Sequence, residues 1–279
     1  MTLAKRSFGS FVALWIFLLA AHLPKAEALT LNSHSAILLD MTTGRILFSQ
    51  NADSAIPPAS ITKILSLYLA DEAIREGRVS AEDPVRISRK AGTTGGSKMF
   101  IQAGSEIPLE ELLKGMAVVS ANDASVAVAE HLAGDVDSFV ELMNRKAREL
   151  GMTGSCFRNP NGLPAKGQIT TARDVLILAR EYLRKFPESL NIHSQQYFTY
   201  RHITQHNRNA LLKTYPDVDG LKTGWIHQSG YHIIATARRG GTRLIAVVMG
   251  AKNPKIRNRE AERLLDEGFR LVAEGQQRG

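Results

Sequence analysis

The stretch GYHIIATARRGGTRLIAVVMG, residues 230–250, constrains the fold most. It reads as two apolar strands around a RRGGT turn. A second pair lies near the other end: in SHSAILLDMTTGRILFSQNAD, apolar Ala36 to Leu39 and Ile46 to Phe48 flank the turn residues Thr43 and Gly44. Prolines 57 and 58 end that hairpin, and the middle of the chain then turns helical. A helix from about Ser60 to Glu76 carries Ile61, Ile64, Leu65, Tyr68 and Leu69 at helical spacing. Further helices are predicted at 108–120 with Pro108 in a starting position, and at 122–134, ending at Gly134. A fourth at 136–151 has Asp137 as its cap and Gly151 as its stop, and a fifth starts at about Thr171. Residues 79–107, polar and glycine-rich, read as short strands and loops. NREAERLLDEGFRLVAEG forms a closing helix that returns to cover the sheet. The pattern predicts an α/β (α+β) fold, with a central antiparallel sheet flanked by helices plus a mostly helical lobe. No internal repeat and no releasing linker is visible.

The first residues indicate export. Lys5 and Arg6 precede the apolar core FVALWIFLLAA at 11–21, and AEA at 26–28 has the small-x-small form of a cleavage site. Residues 1–28 therefore read as a signal peptide and 29–279 as a single domain; an uncleaved anchor is the rival reading. Cys156 is the only cysteine, so no internal disulfide can form, and stability must come from a buried core. The net charge of +8 falls to about +6 without the leader, which favours anionic wall polymers or lipid headgroups. Export, the lack of zinc-finger spacing and the lack of a long basic run argue against nucleic acid.

Three short motifs carry the chemistry. Ser60 and Lys63 stand three apart at a helix start, Ser120-Ala121-Asn122 lies between two predicted helices, and Lys222-Thr223-Gly224 precedes the strands of the last third. Each alone has a bland explanation as a helix cap or turn; all three in this order in an exported chain are strong evidence of an acyl-serine centre. A serine hydroxyl is a poor nucleophile without a base, and Ser60 and Lys63 share a helix face. Lysine serves as a base only when neutral, and partial burial plus a second cation, Lys222, push its pKa down.

With PPASITK, SANDASVAVAEHLAG, FRNPNGLP at 157–164 and VDGLKTGWIHQSGYHIIATA at 218–237, the chain resembles the penicillin-binding serine D-alanyl-D-alanine carboxypeptidases of low molecular weight, within the beta-lactamase/transpeptidase-like superfamily. The resemblance runs from about residue 31 to 272. It implies that Ser60 is the acylated nucleophile, Lys63 its base, Ser120 a proton relay and Asn122 the group that orients the substrate amide. It further implies that Lys222 and Thr223 bind the terminal carboxylate, that Gly224 leaves room for the substrate along the strand edge, and that the oxyanion is received by the backbone amides of Ser60 and Trp225. The Trp225 side chain reads as packing, with a pocket wall as the other option. The implied substrate is the peptidoglycan stem peptide, with beta-lactams as acylating inhibitors, in the periplasm or on the wall side of the inner membrane. No cofactor or metal is implied. Members of this family often continue into a small all-strand domain and an amphipathic anchor, so membrane association is expected only through the leader or peripherally.

Rival readings are a class A-like beta-lactamase, for which Glu181 and Glu188 are the carboxylates on offer without a recognisable loop signature, a transpeptidase differing only in acceptor, and a non-catalytic wall-binding protein. His202 and His206 share helical zinc-ligand spacing but lack the intervening glutamate and read as scattered histidines. NRNALL at 207–212 reads as a groove segment, and Cys156 as a packed thiol.

Overall fold

The computed structural model describes residues 29–277, so the expected leader at 1–28 lies outside the described residues. The main compact unit of the chain begins at Leu31. In chain order it contains strands β1 (Ser35–Asp40) and β2 (Ile46–Gln50), a 3-10 turn at Ala59–Thr62, helix α1 (Lys63–Arg75), strand β3 (Pro84–Arg86), helix α2 (Arg89–Thr93) and strand β4 (Glu106–Pro108). Helices α3 (Leu109–Val118), α4 (Asn122–Ala133), α5 (Val136–Glu149) and α6 (Ala172–Lys185) follow. The short helix α7 (Leu190–His193), hairpin β5 (Tyr197–Tyr200) and β6 (Ile203–His206), and helix α8 (Leu211–Thr214) lead into β7 (Val218–Ile226), β8 (Gly230–Arg239) and β9 (Thr242–Ala251). Helix α9 (Pro254–Gln277) comes last.

The two terminal hairpins merge into one antiparallel sheet of order β2-β1-β9-β8-β7. Alternation along its strands assigns the two faces. Ile37, Leu39, Ile245, Val247 and Met249 join the main core with α1, α4 and α6. Leu38 and Leu244 face the other way, onto α9. A Cβ at Gly268 of that helix would stand 2.7 Å from Leu244 and 2.8 Å from Leu38, so glycine allows the close approach. Because both faces are covered, the central strands are apolar throughout instead of alternating. The buried Glu260 of α9 accepts from the backbone of Asn32 (2.6 Å) and Ser33 (3.1 Å) and from the Ser33 hydroxyl, which fastens the N-terminal entry to the closing helix.

In the helical lobe, α4 is buried from Asn122 to Ala129 and its small side chains let α2, α3 and α5 pack around it. Three details differ from the sequence reading. The 79–107 region contains helix α2, whose cap is the Ser88 hydroxyl accepting from Ala91. The cap of α5 is Asp135, which accepts from the Ser138 amide at 2.8 Å; Asp137 lies inside the first turn. His202 and His206 sit on the β5–β6 hairpin, where their spacing has no helical meaning. Thr171 caps α6. Among the described residues, no helix is long and apolar enough to cross a membrane.

Candidate active site

The site lies where the lobe meets the free edge of the sheet. Lys222-Thr223-Gly224 is not a turn before the last strands but the middle of β7, which among the described residues has no strand partner on its outer side. Against β7 packs the 3-10 turn that carries Ser60, ahead of α1. A Cβ at Gly224 would stand 3.2 Å from the amide nitrogens of both Ser60 and Ile61, so a side chain there would push the turn a few tenths of an ångström off the strand. A cleft of about 470 Å³ opens there, lined by Ser60, Ser97, Ser120, Thr223, Gly224 and Trp225, together with Arg208, Tyr231, Pro254 and Arg257.

Lys63, the first residue of α1, is fully buried behind Ser60. Its Nζ lies 3.2 Å from Ser60 Oγ, 2.7 Å from Asn122 Oδ1 and 2.6 Å from the Asn161 carbonyl oxygen. All three partners are neutral. Burial, and then the charge of Lys222, hold its pKa well below the usual lysine range, opposed by the more distant Asp123 carboxylate. A neutral amine at this distance can take the proton of the serine hydroxyl.

Lys222 is also buried and donates to Ser120 Oγ at 2.9 Å and to the Thr223 carbonyl at 3.0 Å. Burial, with the guanidinium groups of Arg208 and Arg257, lowers its pKa to about 7. Ser120 has φ +64°, a left-handed backbone that aims its hydroxyl at this lysine.

Asn122, expected to orient a substrate amide, has both ends of its side chain committed within the protein: Oδ1 to Lys63 and Nδ2 to the Gly95 carbonyl at 2.8 Å. It is buried and does not line the cleft. The neighbouring Asp123 carboxylate accepts from the amides of Met99, Phe100, Ile101 and Ala124, which shapes the loop that presents Ser97. Trp225, read as packing, is instead 53 % exposed on the cleft wall, its ring 5.7 Å from that of Tyr231.

The NPNGLP segment braces the nucleophile from behind. Asn159 Oδ1 accepts from the Gly162 amide and Asn161 Oδ1 from Leu163, folding the loop so that the Asn161 carbonyl meets Lys63. Ser66, one turn along α1 from Lys63, donates to the Pro160 carbonyl at 2.7 Å. Gly162 has φ +83°, and a Cβ there would fall 1.8 Å from the Ala59 carbonyl oxygen.

Arg208 and Arg257 are the site residues that the motif reading missed. Arg257 comes from α9 and is almost fully buried, and among the described residues its side chain bonds only Asn258 Oδ1. Burial lowers its pKa to about 10. A guanidinium without a carboxylate partner, facing a cleft, attracts an anion. Its sequence signal was an arginine in a helix rich in them. Glu181 and Glu188 lie elsewhere, paired with Arg180, Arg184 and Arg75. Cys156 is partly buried, beside Ile169 on an isolated bridge.

The chain is 40 % identical over 251 residues to the D-alanyl-D-alanine carboxypeptidase DacF of Bacillus subtilis, which covers 88 % of this chain and 64 % of the relative. It is 39 % identical over 252 residues to DacC of Escherichia coli, covering 88 % and 63 %. The chain thus spans just under two thirds of the length of these curated relatives. Among solved structures, penicillin binding protein 5 from Haemophilus influenzae superposes with a TM-score of 0.85 at 37 % identity, over 87 % of this chain and 72 % of that one. Penicillin-binding protein D2 from Listeria monocytogenes, in its ampicillin-bound form, superposes with a TM-score of 0.80 at 29 % identity, over 87 % and 99 %. The peptidase S11 family model, D-alanyl-D-alanine carboxypeptidase, matches residues 22–253, and with that extent of sequence and fold in common the chain belongs to this family.

Proposed function

We propose that the chain is a serine-type D-Ala-D-Ala carboxypeptidase that removes the terminal D-alanine of peptidoglycan stem peptides. The observation that carries the reading is Lys63: a fully buried amine with only neutral partners, 3.2 Å from a cleft-lining serine hydroxyl. Ser60 Oγ attacks the carbonyl carbon of the penultimate D-alanine while its proton passes to Lys63 Nζ. The oxyanion is received by the Ser60 and Trp225 amides. The C–N bond breaks as Ser120 Oγ gives its proton to the leaving amine and is reprotonated by Lys222. Water then cleaves the ester: its hydroxyl joins the acyl carbon, its proton restores the Ser60 hydroxyl, and the proton left on Lys63 passes to solvent while Lys222 regains one from it. The stem peptide lies along the free edge of β7, as an added strand would. Its terminal carboxylate meets Thr223, Lys222, Arg208 and Arg257. Asn122 acts here through Lys63, holding the amine in place.

Beta-lactams enter as acylating inhibitors; the ampicillin- and cefotaxime-bound Listeria relative supports this. Among the described residues no carboxylate lines the cleft to activate a deacylating water, which disfavours the beta-lactamase reading. In this reading residues 1–28 are an export leader, residues 29–279 form the catalytic domain, and the protein works on the wall side of the inner membrane.

Mass spectrometry after incubation with penicillin tests the reading. A one-to-one adduct on the peptide containing Ser60, absent in Ser60→Ala, together with D-alanine release from a synthetic stem peptide, is expected. An unlabelled wild-type protein would sink it.

A further inference from the structure

His232 sits on β8 with no solvent exposure and with both ring nitrogens engaged. Nδ1 lies 2.9 Å from the amide nitrogen of Gly250, a group that can only donate. Nδ1 is therefore the bare nitrogen, and the proton of the neutral ring resides on Nε2. Nε2 faces the Pro57 carbonyl oxygen at 3.1 Å and Ser229 Oγ at 2.9 Å. The Gly250 amide is free for this bond because the β8–β9 ladder shifts register between Tyr231 and Ile233.

Two neighbours of His232, one bonded to its ring and one across the strand pair, lead to the nucleophile. Pro57 stands three residues before Ser60 on the segment that enters the 3-10 turn. Gly224 is the cross-strand partner of His232, and it is the residue against which the Ser60 amide packs. One rung of the sheet thus grips the nucleophile segment twice: the Gly224 backbone abuts the Ser60 amide, and the imidazole opposite holds the Pro57 carbonyl.

We propose that His232 is a positioning residue for acyl transfer, holding the Pro57–Ser60 segment against β7 and so setting the spacing of the Ser60 and Trp225 amides. The inference rests on the acyl-serine reading above. An oxyanion donor displaced by a fraction of an ångström weakens a bond made fully only in the transition state. The loss should therefore fall on the acylation step and not on prior binding, which draws on Thr223, Lys222, Arg208 and Arg257. Only the neutral ring fits, because a protonated Nδ1 would face the Gly250 amide donor to donor. Burial pushes the pKa down to about 4, opposed by bonding to the Pro57 and Tyr231 backbones and assisted by the Arg257 and His34 charges.

The test compares wild type with His232→Gln and His232→Asn by stopped-flow acylation with a fluorescent penicillin, separating the acylation rate constant from the binding constant. The glutamine amide can reach Pro57 as Nε2 does. The shorter asparagine can keep the Gly250 bond but not the Pro57 bond. His232→Asn is expected to lose about 10- to 100-fold in acylation rate with binding changed less than about twofold, and His232→Gln to recover most of it. Equal rates in all three proteins, equal losses in both variants, or a change confined to binding would overturn the proposal. Nitrogen-15 spectra of the wild-type imidazoles decide the matter even where a variant fails to fold: a neutral ring protonated on Nε2 at pH 7 is expected, and the other tautomer or an imidazolium overturns it. A wild-type protein that takes no penicillin at all would instead sink the parent reading.

Discussion

In the helical lobe, Lys146 lies 3.0 Å from Glu72 and 2.8 Å from Glu149. Lys185 reaches the same Glu72. In the cleft, Lys63 and Lys222 are more deeply buried, yet their hydrogen bonds go only to hydroxyls, an amide and carbonyls. Burial alone would lower the pKa of Lys146, but Glu149 and Glu72 outweigh it and raise the value. At Lys63 nothing outweighs burial and the neighbouring cation. Buried charge is normally paired. The lobe follows that rule and gains stability; the cleft breaks it and gains an amine that gives up its proton far more readily than an ordinary lysine.

The largest separation between the regions should come from deleting the unpaired amine. Lys63→Ala is expected to slow penicillin acylation by about 10³-fold or more, in the upper part of the range for loss of a general base. Its thermal midpoint should hold or rise, since a buried amine without a counter-ion is itself unfavourable. An acylation rate within tenfold of wild type would remove Lys63 from the base role.

Gly162→Ala comes next. The left-handed backbone and the overlap with the Ala59 carbonyl together should destabilise the chain by about 2–4 kcal/mol. The shift would displace Ser60 as well, so acylation should fall alongside. Gly77→Ala is the control, because Gly77 has φ +68° but no atom within 4 Å of its Cβ position. It should lose about 1 kcal/mol and no activity. Equal acylation by both variants would detach the NPNGLP loop from the nucleophile.

That loop also marks how far the sequence could be read. Ser60 and Lys63 are one helical turn apart, so their proximity follows from local geometry. The apolar runs at 230–250 could hardly be anything but buried strands. By contrast, Asn161 meets Lys63 through a carbonyl oxygen, and backbone atoms leave no trace in residue type. Arg208 and Arg257 reach the cleft, and His232 the Pro57 carbonyl, through long-range packing of the segment before α8, of α9 and of the sheet. The Asn122 amide likewise meets the Gly95 carbonyl, another backbone atom that residue type does not show. Ala59, Phe100 and Ser120 have positive φ without being glycine, a strain that only the assembled site reveals.

Lys222→Gln sharpens the electrostatic half of the comparison. With the cation removed, Lys63 is easier to protonate, so its pKa rises toward the ordinary lysine value. The rising limb of the acylation pH profile, which follows loss of a proton from Lys63, should move to higher pH. In the wild-type chain Lys222 itself titrates at about 7, so cation-assisted binding of the substrate carboxylate is strongest below that pH and fades above it. The variant should lose that fading. Because the two amines interact, both limbs belong to the pair and should move together. A profile that coincides with wild type would count against any electrical link between them.

The smallest effect is expected at the paired end. Burial raises the pKa of Glu72, but hydrogen bonds from Lys185 and Lys146 outweigh it and leave the folded value below the ordinary carboxylate range. A depressed folded pKa means that the group adds stability above its unfolded pKa and loses it as pH falls through the folded one. Glu72→Gln keeps most of the shape and some of the bonding while removing the charge. With Lys185 about one third exposed, solvent screens part of the interaction, and a loss of about 1–2 kcal/mol is expected at pH 7. In a chain of this size that is a fall of roughly 2–8 °C in melting temperature. The difference from wild type should shrink as the pH drops below the ordinary carboxylate range, where the wild-type carboxylate also takes up a proton. Penicillin acylation should not change, since Glu72 faces Lys146 and Lys185 and lies outside the cleft lining. If Glu72→Gln slowed acylation as much as it lowered stability, the lobe and the cleft would not be separable charge environments.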